Sequence, residues 1–158
     1  MTEKNRLRGK KSRAAGQRFE LKVRKSLEEK GWNVSKWMNN VEFTKEIPEV
    51  RMLPDTGERD KCREFMLNGK IGKLIPAKGK FNPFTKSVMN MSAGFPDFIA
   101  FFKDMTGRIR LMGVEAKSNG YLTPVEKEKC DWLCKNVFKV VIAKKGDKRG
   151  EIIYEDFT

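Results

Sequence analysis

Two short stretches, Gly94-Phe95-Pro96-Asp97 and Glu115-Ala116-Lys117, restrict this chain more than any other feature of it. Between them run the apolar Phe98-Ile99-Ala100-Phe101-Phe102, the turn-like Asp104-Met105-Thr106-Gly107, and Ile109-Arg110-Leu111-Met112-Gly113-Val114. Gly and Asp in a short polar break between β-prone runs predict a hairpin. With the turn centred near Met105 and Thr106, Asp97 falls opposite Val114 or Glu115. Directly opposed residues on one face have Cβ atoms about 5 Å apart. Side chains alternate along a strand, so Lys117 shares the face of Glu115 and Ala116 points the other way. The hairpin thus gathers two carboxylates into an acidic pocket the size of a metal ion, with a Lys at its rim.

Hard-cation chemistry says what such a pocket can hold. Mg²⁺ prefers oxygen ligands, keeps several waters, and is often bound by one or two carboxylates together with substrate phosphate. A metal so placed generates hydroxide and shields charge building on phosphate. A neighbouring Lys positions the attacking water or stabilises the developing negative charge. A bare Asp…Glu-x-Lys match is more often a strand cap beside a surface ion pair. Here the Gly-Phe-Pro-Asp context, the hairpin register and the charge of the whole chain favour the metal pocket.

That charge is strongly positive: 34 Lys and Arg against 21 Asp and Glu, a formal net charge of +13. Such a balance is an electrostatic footprint for a polyanion, without bearing on fold. Residues 1–13 hold Lys4, Arg6, Arg8, Lys10, Lys11 and Arg13 against the acid Glu3. Residues 70–86 hold Lys70, Lys73, Lys78, Lys80 and Lys86 with no acid. Each segment alone could be a solvated tail or loop. Beside an acidic metal pocket they read as phosphate contacts.

The chain has no histidine. This removes His-based acid–base catalysis, Ser-His-Asp and Cys-His nucleophiles, and HExxH zinc sites. No G-x-x-x-x-G-K-[ST] loop occurs, since Gly69-Lys70-Ile71-Gly72-Lys73 has the wrong spacing, which argues against a nucleotide cofactor. Cys62, Cys130 and Cys134 lack C-x-x-C spacing and read as free thiols rather than metal ligands. At 158 residues, one domain with one core is expected. No apolar stretch approaches the roughly 18 residues of a membrane span. The basic N-terminus has no apolar run behind it, so no signal peptide is expected, and the expected compartment is the cytoplasm of the cell or of a host cell.

Along the chain, a helix is expected from about Ala14 to Lys30, with Phe19, Val23 and Leu27 forming one apolar stripe. Glu20 sits at the edge of that stripe. It is either an ordinary boundary acid paired with Arg24 or a further member of the cation site. Gly31 suits the helix C-terminus, and Trp32 to Trp37 alternates as a first strand. Residues 38–92 are broken by Pro48, Pro54, Pro76 and Pro83 and read as a loop-rich insertion, with a short helix over 58–68 carrying Cys62, Phe65 and Met66. Within it, Lys78, Lys80 and Lys86 alternate with Phe81 and Phe84, which suits phosphate contact with base stacking or simple packing under the loop. Thr123-Pro124-Val125-Glu126 predicts a capped helix start, with the helix running to about Asn136 and burying Val125, Trp132 and Leu133. Phe138–Ala143 and Ile152–Tyr154 complete the strands. The order α-β-insertion-β-β-α-β-β predicts an α/β fold around a mixed sheet.

Taken together, these residues resemble a PD-(D/E)xK nuclease, in particular the archaeal-type Holliday junction resolvases and the VRR-NUC nucleases of viruses. The resemblance covers Gly16-Gln17-Arg18-Phe19-Glu20 through Gly31-Trp32-Asn33-Val34, and then Gly94 to about Ala143 with Pro96-Asp97 and Glu115-Ala116-Lys117-Ser118. It implies a restriction-endonuclease-like single domain over residues 14–158, preceded by a basic tail over 1–13 and interrupted by the 38–92 insertion. It implies Mg²⁺, with Mn²⁺ able to substitute, on Asp97 and Glu115, with Glu20 and the backbone carbonyl of Ala116 as further ligands. Lys117 would handle the water or the scissile phosphate. Arg6, Arg8, Lys10, Lys11, Arg13, Lys36, Lys78, Lys80 and Lys86 would contact DNA. The implied activity is a metal-dependent DNA endonuclease selective for branched DNA, working as a homodimer and leaving 5′-phosphate and 3′-hydroxyl ends. A VRR-NUC-like nickase or flap nuclease, a restriction-type enzyme, and a non-catalytic nucleic-acid-binding module stand as alternatives. Two departures are evident. Glu126 stands where VRR-NUC relatives often carry Gln, and the insertion exceeds what compact resolvases need.

Overall fold

The apolar stripe of the first helix decides how the molecule is built. A computed structural model describes residues 3–44, 66–67, 70–76, 79–82, 87–90 and 94–158. Helix α1, Glu3–Glu29, lays Phe19, Val23 and Leu27 against Phe98, Ala100, Val114 and Ala143 of a central sheet. It begins well before the expected Ala14, so the residues assigned to a basic tail are helical from Glu3 on. Lys, Arg and Ala are good helix formers, and the packed second half supplies the nucleus on which the exposed first half extends. Gly31, at φ 83°, closes the helix: its N–H donates to the Glu28 carbonyl at 3.0 Å and Trp32 N–H to that of Leu27 at 3.1 Å. That pair of bonds is a Schellman ending, which requires the left-handed backbone glycine tolerates.

Five strands make the central sheet, in the order β1 (Asn33–Lys36), β7 (Phe98–Lys103), β8 (Ile109–Ala116), β9 (Lys139–Lys145) and β10 (Ile152–Asp156). The sheet is mixed. β1/β7, β7/β8 and β9/β10 are antiparallel, and β8/β9 is parallel. The parallel step is bridged by helix α2, Pro124–Asn136. Successive β9 residues point to opposite faces. Val140 and Ile142 join α2, while Ala143 joins α1, so a helix covers each face. α2 buries Cys130, Trp132 and Leu133. Val125 was expected among them but is exposed, in the first turn of a helix whose buried residues begin at Cys130.

Within the 38–92 insertion, expected to be loop-rich, most of the described residues form strands. It contributes β2 (Asn39–Thr44), β3 (Met66–Leu67) and β4 (Lys70–Pro76) in a sheet ordered β2-β4-β3, and a hairpin of β5 (Gly79–Asn82) with β6 (Ser87–Asn90). Met66, expected on a helix over 58–68, lies on β3, and residues 58–65, Cys62 among them, lie outside the described residues. Val41 of β2 is buried in the α2 cluster, with Phe43 and Leu74 packed against it. At Gly72 a Cβ atom would collide with the Trp132 indole, so β4 passes directly over α2. The insertion thus extends the main core.

Among the described residues, no helix is long and apolar enough to cross a membrane.

Candidate active site

The β7/β8 register decides where the carboxylates fall. Phe98 pairs with Val114, and one more ladder step sets Asp97 against Glu115. Each side chain then accepts from a backbone amide of the facing strand end. Asp97 N–H donates to Glu115 Oε2 at 3.1 Å, and Ala116 N–H donates to Asp97 Oδ2 at 3.0 Å. Both residues are nearly inaccessible, with relative exposures of 9% for Asp97 and 4% for Glu115. The segment before Asp97 is pinned to the end of β1 and start of β2: Phe95 N–H donates to the Asn39 carbonyl at 2.8 Å, and Trp37 N–H to that of Asp97 at 3.1 Å.

Lys117 leaves the end of β8 with its N–H bound to the Ala143 carbonyl at 2.9 Å. Its ammonium meets Glu115 Oε1 at 3.1 Å, on the face that strand alternation predicts. It also meets Glu126 Oε1 at 2.7 Å. Sequence reasoning missed this second partner, because the capping box alone accounted for Glu126. Both roles are filled at once, with Oε2 accepting from Thr123 N–H at 2.8 Å.

On the other side, α1 presents Glu20 to Lys36, the last residue of β1. The Lys36 ammonium lies 2.8 Å from Glu20 Oε2 and 3.3 Å from Asp97 Oδ1, over the Phe98 ring at 4.8 Å. Arg24, the alternative partner considered for Glu20, pairs with Glu28 at 2.8 Å. Glu20 therefore faces the carboxylate pair, but with Lys36 between. Lys36, expected as a DNA contact, thus has its ammonium engaged with two carboxylates of the site.

Burial sets the electrostatics. It pushes the Glu115 carboxyl up to about 7, with the Asp97 charge adding and Lys117 opposing. Asp97 is raised too, by burial first, against the hydrogen bond from Ala116. Burial works against the charge on Lys36 and on Lys117, yet their carboxylate partners outweigh it and both ammoniums are held above the ordinary lysine value. For Glu126 burial is likewise overcome, by Lys117 and Thr123, and its carboxyl is lowered. Perturbed groups clustered at one place mark a functional-site candidate.

The donor set suits a hard divalent cation. Among the described residues, Asp97 Oδ1 and Glu115 Oε1 are not bonded to a backbone amide and share their lone pairs only with Lys36 and Lys117, and Ala116 brings a backbone carbonyl to the same strand end. Among the described residues, no group of three or more Asp, Glu or Cys side chains is arranged around one point. With Lys36 interposed, Glu20 does not complete such a triad. Two carboxylates are within what Mg²⁺ uses when water and phosphate fill the remaining positions. Of the described cysteines, Cys130 is buried, its thiol pushed up by burial to about 12 with Glu115 adding, and Cys134 accepts from Val140 N–H at 3.3 Å.

Arg6, Arg8, Lys10, Lys11 and Arg13 are exposed on α1, upstream of Glu20. At 1.5 Å per residue, they run from about 10 to about 21 Å beyond Glu20 along the helix axis. Lys80 lies on β5, but its side chain, Lys78, Lys86 and Phe84 lie outside the described residues. A broad groove lined by Lys30, Trp32, Phe102 and Met112 opens at the opposite end of the sheet and contains none of the site residues.

No protein-family model, no curated protein and no solved structure matches this chain.

Proposed function

We propose that this chain is a Mg²⁺-dependent DNA endonuclease of restriction-endonuclease-like fold, acting on branched DNA. The observation that carries the reading is the juxtaposition of the buried Asp97 and Glu115, tied through the amides of Asp97 and Ala116, with Lys117 3.1 Å from Glu115. Two buried carboxylates are costly unless compensated. A protein that keeps them side by side, under a helix bearing exposed cations, is equipped to bring a cation and a polyanion together.

In this reading, Asp97 and Glu115 would hold the metal, which would make a bound water more acidic and offset charge on phosphate. Lys117, tethered by Glu126, directs its ammonium to the attacking water or to a non-bridging phosphate oxygen. The arginines and lysines of α1 hold the phosphate backbone without reading sequence. Paired cuts across a four-way junction need two sites, which a symmetric homodimer supplies.

The test is incubation of purified protein with a labelled four-way junction and matched linear duplex, in Mg²⁺ or EDTA, beside Asp97→Ala and Lys117→Ala. Symmetric paired cuts in the junction, lost with EDTA and in both variants, are expected. Equal cutting of the linear duplex would remove junction selectivity and leave a nickase, flap or restriction-type nuclease. Salt-sensitive binding without cutting of any substrate would overturn the enzyme in favour of a binding module.

A further inference from the structure

We propose that Lys36 is the second cation of this site: its ammonium takes the place beside Asp97 that a two-metal centre gives to another ion, so each chain takes up one divalent ion. The inference rests on reading Asp97 and Glu115 as ligands of such an ion.

Geometry is the first support. In two-metal phosphoryl-transfer centres the ions lie about 3.5–4 Å apart and clamp the attacking and leaving oxygens. Asp97 lies between Glu20 and Glu115 and is the carboxylate placed to bridge two ions. Its Oδ2 accepts from Ala116 N–H, and its Oδ1 already receives Lys36. Glu20, the natural outer ligand of a second ion, is bound to the same ammonium at 2.8 Å. A second metal would have to evict Lys36 from both carboxylates. Lys36 is further held there by Phe98, since its backbone pairs with that residue across β1/β7 and its ammonium sits over the ring.

Charge is the second. The ion-paired cluster comprises the carboxylates Glu20, Asp97, Glu115 and Glu126 and the ammoniums Lys36 and Lys117. Four negative groups against two positive ones leave a formal −2, which one divalent ion neutralises. Lys129 stands farther out, bonded to Asn40 at 2.8 Å and felt by Glu126 and Glu115. Counting it only lowers the room for another cation. A second divalent ion would leave this half-buried cluster with net positive charge. Lys117 cannot exchange roles with Lys36, because it lies on the far side of Glu115 and is anchored by Glu126.

The experiment is Mn²⁺ titration of the metal-free full chain, following loss of the free-ion signal by electron paramagnetic resonance. Wild type and Lys36→Arg should each bind one Mn²⁺ per chain. Lys36→Gln and Lys36→Met, which remove the charge while keeping length, should each bind two. Thermal melts confirm that each variant is folded, and two neutral variants guard against one failing. Two ions in wild type, or one in a folded neutral variant, would overturn the proposal. No Mn²⁺ bound by wild type would overturn it differently, by removing the reading of Asp97 and Glu115 as ligands.

Discussion

Glu126 reaches Lys117 with one carboxylate oxygen, at 2.7 Å, while its other oxygen closes the capping box of α2 on Thr123. One side chain thus joins the start of a helix to the end of a strand. The two roles use different atoms and can be separated. Glu126→Gln keeps a cap acceptor but loses the charge that holds Lys117. It should leave stability nearly unchanged and lower turnover at least about tenfold. Thr123→Ala should do the reverse, costing about 1 kcal/mol of stability with turnover of the folded protein preserved. Melting curves and single-turnover rates on the two variants check this. Equal effects on both readouts would mean the roles are not separable.

Metal-free stability should fall as pH rises. A carboxyl raised in the folded state binds its proton more tightly there than in the unfolded chain. The stability it confers is complete below about 4.5 and is lost as pH rises through about 7. For Glu115 that change is on the order of 3 kcal/mol, and Asp97, raised as well, adds in the same direction. Glu115→Gln should flatten the profile between pH 5 and 8. Because ligands must be deprotonated, Mn²⁺ affinity should rise over the same range. Melts at several pH values, with and without Mn²⁺, measure both. A flat wild-type profile would contradict the burial argument.

The docking of α1 depends on a few side chains. Leu27 is 2% exposed, and removing its side chain leaves a cavity between helix and sheet. Leu27→Ala should cost about 2–5 kcal/mol. Leu21, on the outer face and 66% exposed, is the internal control. Leu21→Ala should change stability by no more than about 0.5 kcal/mol. Urea melts of the pair would show whether the stripe is what binds the helix to the sheet.

DNA affinity should depend steeply on salt, with α1 carrying part of that dependence. Each phosphate contact contributes about 0.9 to the slope of log affinity against log salt on duplex DNA. Lys10→Gln and Arg13→Gln should each reduce the slope by about that amount, without changing preference among sequences. Fluorescence anisotropy over a range of salt concentrations measures it. An unchanged slope in the double variant would place the phosphate contacts elsewhere.

Much of this arrangement was legible along the chain, because short-range rules govern it. A turn position and the two-residue alternation of strands were enough to set Asp97 against Val114 or Glu115 and Lys117 on the side of Glu115, and the β7/β8 register then chose Glu115. Thr123-Pro124-Val125-Glu126 marked the start of α2, and Phe19, Val23 and Leu27 marked the buried side of α1. Other features were not legible. The sheet of β2, β4 and β3 pairs Asn39–Thr44 with Lys70–Pro76 across a long intervening segment, and nothing local announces such a pairing. Lys36 read as one more cation for DNA, and Glu126 as a cap standing where VRR-NUC relatives often carry Gln, with no partner for either evident. Each acquired its neighbours when separate elements met: α1 with β1 and β7 around Lys36, and α2 with the end of β8 around Lys117. Those meetings follow from burying apolar surface on both faces of one sheet. That driving force is non-directional and acts between residues far apart in the chain, so it leaves no periodic trace at the charged positions it brings together.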